Sequence, residues 1–394
     1  MNKFSKNIKK IFIISGGRAD YDLLKPIILK LKKMSKIDVK TGVTGSHLFK
    51  KNGTHKNFKK DGIMIHHKIK IPFLSDTKKS IINFFSHGVI KFGKIFSNEK
   101  FDAIIVLGDR YEIYSAVISA SFYKIPIIHL SGGETTLGVI DEPIRHSITK
   151  FSNFHFVANN IYKKRVIQLG ENPKNVFVVG STSIENIRRE KIISKADIEK
   201  KYKIRFKHEN FLITYHPVTF AKDYGISDFK NLLNFLSKRK NCGLFFTLPN
   251  ADVNNFEIIK LIKKFIKKNK NAKLFNSLGK QNYFSFIKCI DAVIGNSSSG
   301  LTEVPSFKKP TLNIGIRQKG RVQAKSIINI ENVNKKNLVK AFKKIQSKKF
   351  KRSLTKVSNP YFKKNSSSNV VKIIKRLKIN EIELKPFFDL GRRR

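Results

Sequence analysis

The sequence predicts an α/β protein made of two doubly wound parallel-sheet domains. Three observations carry that prediction. Short apolar, β-branched runs alternate along the chain with segments of helical periodicity. The strand-like runs end in clusters of Gly, Pro, Asp, Asn or Ser, as strands bordering a ligand crevice do. The chain's 394 residues also exceed what one hydrophobic core usually organises.

Residues 8–15 read as the first strand. Gly16-Gly17-Arg18-Ala19-Asp20 then makes a tight turn into a helix over 21–33, with Leu23, Leu24, Ile27, Ile28 and Leu31 on one face. Glycines in such a turn let backbone approach a ligand, and the helix start favours an anion. Arg18 adds a cation at its mouth. The turn is not GxGxxG, so by itself it identifies nothing. Residues 37–44 form the second strand, followed by Gly45-Ser46-His47, where a histidine just past a strand end can donate to a substrate oxygen. His66-His67 lacks partners at metal-ligand spacing, and no metal site is predicted. Ser75-Asp76-Thr77 caps a helix over 81–96.

Residues 101–146 are the centre of the first half. Two buried strands, 103–107 and 125–130, flank a helix over 111–122. The first strand ends in Gly108-Asp109-Arg110 and the second in Gly132-Gly133-Glu134. Asp141, Glu142, Arg145 and His146 follow. Ionisable groups from separate loops thus meet at the carboxyl ends of parallel strands, as general acid–base chemistry needs. A strand at 156–158, a helix at 161–169 and a strand at 176–179 complete this half.

The apolar pattern fades over 186–200, which places a domain boundary there: 1–188 for the first domain, 189–361 for the second. In the second half, strands at 211–215, 244–248, 291–294 and 311–314 end in His216-Pro217-Val218-Thr219, Pro249-Asn250-Ala251-Asp252, the run Asn296-Ser297-Ser298-Ser299-Gly300 and Gly315. Helices at 229–237, 254–269, 281–289 and 336–346 alternate with them. The Asn296–Gly300 loop opens a helix, so its N–H groups and hydroxyls suit a diphosphate. Glu303 is placed to accept from two ribose hydroxyls, and His216 to donate to phosphates. Arg317, Lys319 and Arg321 add positive charge. A basic amphipathic helix spans 366–377.

Lys plus Arg is 80 against 28 acids, a formal net charge of +52. The basic residues are scattered as pairs over helix faces, without the single stripe of a nucleic-acid binder, and Lys, Asn, Ile and Phe are all AT-rich in codon usage. No nucleic-acid partner is predicted. No run reaches the roughly 18 apolar residues of a membrane span. Cys242 and Cys289 are too few for a disulfide framework. A cytoplasmic protein is expected.

One family resemblance covers most of the chain. GGRADYDLLKPII, TGSHL, SDT, LGDRYEI, IPIIHLSGGETTLGVIDEPIRHSITK, YHPVT, GNSSSGLTEVPSF and NIGIRQKGR occur in order between residues 8 and 329. Together they resemble the hydrolysing UDP-N-acetylglucosamine 2-epimerases of sialic and legionaminic acid biosynthesis. The resemblance implies a GT-B fold with the active site in the cleft between two Rossmann-like domains, and a C-terminal helix, about 362–394, that returns to the first domain. It implies conversion of UDP-N-acetylglucosamine and water to N-acetylmannosamine and UDP, by elimination to a glycal and rehydration, without cofactor or metal. Asp109, Glu134, Asp141, Glu142 and Arg145 match the catalytic motifs. Arg18, His47, His216, Asn296, Ser297, Ser298, Ser299, Gly300, Glu303 and Arg321 match substrate and nucleotide contacts. Which carboxylate is base and which is acid stays open, as does the choice of UDP or GDP. A homo-oligomer, dimer or tetramer, is expected. Two positions depart from the pattern: Ser131, where His is common, and Ile316, where Asp is. A non-hydrolysing epimerase and a GT-B glycosyltransferase are the alternatives.

Overall fold

The computed structural model describes residues 8–49, 53–72, 77–249, 254–276, 278–379 and 385–391. Ser75, Asp76, the stretch 250–252 and the terminal arginines lie outside them. Thr77 is the cap of the helix Lys78–Asn98, accepting from Ser80 N at 3.3 Å. The chain divides into two compact units: Met1–Glu134 with Asp141–Glu185 and Tyr361–Arg394, and Thr135–Ile140 with Asn186–Pro360.

The first unit holds a parallel sheet of β1 (Lys9–Ser15), β2 (Ile37–Val43), β3 (His67–Lys68), β4 (Ala103–Leu107), β5 (Ile127–Leu130), β6 (Phe154–Val157) and β7 (Val176–Val178). Their order is β3-β2-β1-β4-β5-β6-β7. A parallel sheet is covered on both faces, so its central strands are apolar without a break. The two-residue period then divides β1 between two cores. Ile11 and Ile13 join Leu24, Ile28 and Ile105 on one face; Phe12 and Ile14 join Phe92, Ile104 and Val106 on the other. The C-terminal helix Ser366–Arg376 buries Val370, Val371 and Ile374 in the first of these cores. Glu185 fixes its start by accepting from Ser367 N at 2.7 Å and Ser367 Oγ at 2.8 Å.

The second unit holds β8 (Glu209–Thr214), β9 (Cys242–Thr247), β10 (Ala272–Phe275), β11 (Ala292–Gly295), β12 (Thr311–Ile314) and β13 (Ile327–Ile330), all parallel, in the order β10-β9-β8-β11-β12-β13. Sequence patterning finds the four inner strands and misses both edges. β10 and β13 mix half-buried or exposed positions with buried ones, which blurs the apolar run. Each sheet reverses direction of growth once, between β1 and β4 and between β8 and β11. Ligands in open α/β sheets bind beyond the carboxyl ends of strands at such a reversal.

One segment departs from the expected division. Thr135–Ile140, in the middle of the first half of the sequence, belongs to the second unit.

Candidate active site

At the reversal in the first unit, the loops after β1, β4 and β5 and the start of helix Asp141–Phe151 bring the acids together around two arginines. Arg145, only 1% exposed, ion-pairs with Asp109, approaches Glu142 Oε2 at 3.2 Å and donates to Glu134 O at 2.9 Å. A planar guanidinium suits this, because its five donors can serve several oxygens at fixed angles. His146 Nε2 lies 3.1 Å from the other oxygen of Glu142. Glu134 itself is buried. Arg110, at the start of helix Tyr111–Phe122, lies 3.5 Å from Glu112 and 3.8 Å from Asp141. Asp109, Glu134, Glu142 and Arg145 therefore form one hydrogen-bonded group, and Asp141 joins it through its neighbour in the helix. Arg18 is exposed at the first position of the helix Arg18–Leu31, which starts earlier than the expected 21.

Several residues that hold this site escape sequence reasoning. His129, in β5, is fully buried; its Nε2 donates to Gly108 O at 2.8 Å and its Nδ1 lies 3.3 Å from Thr149 Oγ1. Burial holds its pKa down at about 3, so the ring is neutral and braces the Asp109 loop. Ser131 sits at φ 67, a left-handed conformation that His, Asn and Asp adopt more readily than most residues.

Asp20 and Glu112 are a second missed feature. Both carboxyls border the Gly16 turn, where Asp20 Oδ2 accepts from Gly16 N at 3.2 Å. Burial first, then the neighbouring Glu112 charge, pushes Asp20 up to about 7, against the opposing effects of Arg110 and the Gly16 and Gly17 amides. Burial likewise raises Glu112, whose Oε2 has no hydrogen-bond partner. An unfolded Asp releases its proton near 3.8, whereas the folded one keeps it to about 7. Between those pH values the unfolded state binds fewer protons, so wild-type stability falls as pH rises through this window. Asp20→Asn should remove that fall. Urea midpoints at pH 4.5 and pH 8 should show the variant gaining a few kcal/mol on wild type at the higher pH. Parallel wild-type and variant curves would refute the raised pKa.

In the second unit, the loops after β8 and β11 meet at the other reversal. Asn296 Oδ1 accepts from His216 N at 2.7 Å while its Nδ2 donates to His216 O at 2.8 Å. Gly295, at φ +134, is obligatory here: a Cβ would stand 1.9 Å from Thr214 O. Gln318 Nε2 and Arg317 Nη1 donate to Asn296 O at 2.9 and 3.3 Å. Ser297 and Ser298 are half-buried at the mouth, Ser299 Oγ accepts from Tyr283 at 2.8 Å, and Glu303 Oε2 accepts from Thr302 at 2.8 Å. Arg321 is half-buried in the turn after β12.

Four expectations need correction. His47 is fully buried, and its two ring nitrogens lie 2.9 Å from Ser15 Oγ and 2.7 Å from Thr54 Oγ1. Burial lowers its pKa to about 4; it is a neutral internal brace, not a ligand. Asn296 is also fully buried, and both ends of its amide are spent on His216. It ties two loops together instead of facing a ligand. Gly300 backs onto Thr311, whose Oγ1 donates to its carbonyl at 2.7 Å, so it serves packing. The helix expected after the serines is a single turn, Ser299–Thr302, followed by a 3₁₀ turn at Val304–Phe307. Its dipole is correspondingly small, and local N–H groups and hydroxyls must supply any anion binding. Among the described residues, no cluster of His, Cys, Asp and Glu has the makings of a metal site, and no helix is long and apolar enough to cross a membrane.

Among solved structures, UDP-GlcNAc 2-epimerase from Neisseria meningitidis bound to UDP-GlcNAc shares this fold, with TM-score 0.79 and 17% identity over 93% of this chain and 100% of that one. The fold class is thereby defined: two parallel-sheet α/β domains of the GT-B type. Closer in sequence is the GDP/UDP-N,N'-diacetylbacillosamine 2-epimerase (hydrolyzing) of Campylobacter jejuni, 40% identical over 97% of this chain and 99% of its own. Polysialic acid biosynthesis protein P7 of Escherichia coli is 39% identical over 97% of this chain and 98% of its own. The family model described as UDP-N-acetylglucosamine 2-epimerase matches residues 29–375, and the chain belongs to that family.

Proposed function

We propose that this enzyme is a hydrolysing 2-epimerase. It takes UDP-N-acetylglucosamine, or a closely related nucleoside diphosphate-linked acetamido sugar, and water to the free N-acetylmannosamine-type sugar and the nucleoside diphosphate. The product feeds a nonulosonic acid such as sialic or legionaminic acid. The observation that carries this reading is the gathering of the Asp109 and Glu142 carboxylates and the Glu134 backbone carbonyl about Arg145, beyond the carboxyl ends of β4 and β5.

The chemistry asks for such a group. One carboxylate takes the weakly acidic C2 proton as the C1–oxygen bond to the diphosphate breaks, leaving a 2-acetamidoglycal. Water then adds its oxygen to C1 as it gives a proton to a third carboxylate, and a second carboxyl delivers a proton to the opposite face of C2. Asp109, Glu134 and either Asp141 or Glu142 fill these roles. Arg145 and Arg18 offset negative charge as it develops on the leaving group. On the second unit, His216, Ser297, Ser298 and Ser299 hold the diphosphate, while Glu303 takes the ribose.

Incubation with UDP- and GDP-linked N-acetylglucosamine and diacetamido sugars in deuterium oxide tests this directly. NMR should show a free 2-epimeric sugar carrying deuterium at C2, with nucleoside diphosphate in equal amount. A product still bound to nucleotide would indicate a non-hydrolysing epimerase, and turnover only with an added acceptor would indicate a transferase.

A further inference from the structure

We infer that Gly138 is a positioning residue, through which the loops following β8 and β12 set where Glu134 and Asp141 stand. The inference rests on the function proposed above, since it assigns those two residues their work.

Thr135–Ile140 is the whole stretch between these acids, and it lies on the second unit as a strap. Leu137 N donates to Lys319 O at 3.1 Å, and Thr135 Oγ1 donates to Gly320 O. From the other loop, Phe220 N donates to Gly138 O at 3.1 Å, and Ile140 N donates to Thr219 Oγ1 at 3.0 Å. Thr136 and Val139 are buried, and Val139 N closes a turn onto Thr136 O at 3.1 Å. Gly138 is the point of closest approach. A Cβ there would stand 2.8 Å from Ile316 O and 2.9 Å from Arg317 Cα. Both are backbone atoms and cannot swing aside, so any side chain at 138 must lift the strap.

The loops that grip the strap also hold the serine loop. Arg317, which Gly138 touches, and Gln318, the next residue, both donate to Asn296 O, and His216 opens the segment that ends at Thr219 and Phe220. One run of contacts therefore links Asn296, the turn after β12 and Gly138. Glu134 and Asp141 are bonded covalently to the two ends of the strap. A shift of about 1 Å in reacting groups is worth roughly 100-fold in rate. Occupancy of the serine loop and the path of the strap that carries these two acids are thus parts of one device.

The test uses full-length enzyme, UDP as the probe and two variants. In Gly138→Ala, kcat should fall about 100-fold while the Kd for UDP changes less than threefold. Thr135→Val/Thr219→Val removes two anchors without adding bulk and should lower kcat about tenfold, which keeps the test open if the alanine variant fails to fold. Hydrogen exchange gives a readout free of turnover: UDP should slow exchange of wild-type amides over 134–141, and Gly138→Ala should abolish that protection. Both variants keeping kcat within twofold of wild type, or unchanged exchange over 134–141 on UDP binding, would overturn the inference. A wild type inert to every nucleotide sugar, yet protected by UDP over 134–141, would instead defeat the proposed reaction and leave the strap standing.

Discussion

Arg145→Met should abolish measurable turnover and lower stability by about 3 kcal/mol. Arg145 is 1% exposed, yet it faces Asp109, Glu142 and the carbonyl of Glu134. Methionine fills much of the same volume, so little is lost in packing. What disappears is the positive charge that two carboxylates and a carbonyl share. Removing one partner of a buried pair leaves the other charge uncompensated, which is worth about 3–5 kcal/mol. The lower end applies because the side chains of Asp109 and Glu142 keep 19% and 13% exposure, and water meets part of their need. Arg145→Lys keeps the charge and loses the fork, so one ammonium must choose among oxygens that lie in different directions. It should recover most of the stability and only a small part of kcat. Urea midpoints and single-turnover rates on the same preparations decide this. A fully active Arg145→Met enzyme would show that the acids do not depend on that guanidinium.

The inner strands were legible because a parallel sheet buries both faces, so β1, β4, β8 and β11 read as unbroken apolar runs. β3, β10 and β13 lie at sheet edges, carry exposed or half-exposed positions and run to four residues or fewer. That is too little pattern to separate from a loop. Site residues divide along a similar line. Asp109 and Glu134 stand just past strand ends in sequence, and Glu142 and Arg145 open the helix that follows, so the topology that gathers them can be guessed. Glu112 cannot be found that way. It falls on a helix face, and its burial depends on the Gly16 turn and Gly45 from distant parts of the chain. His47 and Asn296 mislead for the opposite reason. A polar residue just past a strand end has the same local signature whether it faces a ligand or braces a neighbouring loop. Only the partners, Ser15 and Thr54 for one and His216 for the other, reveal which it does. The strap had no signal at all, because Thr-Thr-Leu-Gly-Val-Ile acquires meaning only from the loops it rests on.

Glu134→Gln should lower kcat by roughly 100- to 10,000-fold and leave the Kd for UDP within threefold of wild type. Glutamine matches glutamate in size, and the Arg145 donation reaches the backbone carbonyl of Glu134, which the substitution retains. The serine loop, Asn296 and His216 belong to the other unit and are untouched. Loss of rate without loss of nucleotide affinity is the mark of a group acting in the chemical step. Deuterium oxide then separates its two candidate roles. If Glu134 takes the C2 proton, elimination stops, no glycal forms, and recovered substrate carries no deuterium. If Glu134 supplies the returning proton, elimination still runs, and glycal and UDP accumulate because rehydration stalls. In the second case the base is one of Asp109, Asp141 and Glu142, the carboxylates held by Arg145 and Arg110. A Glu134→Gln enzyme that turns over within fivefold of wild type would remove Glu134 from both roles and leave Asp109, Asp141 and Glu142 to divide them.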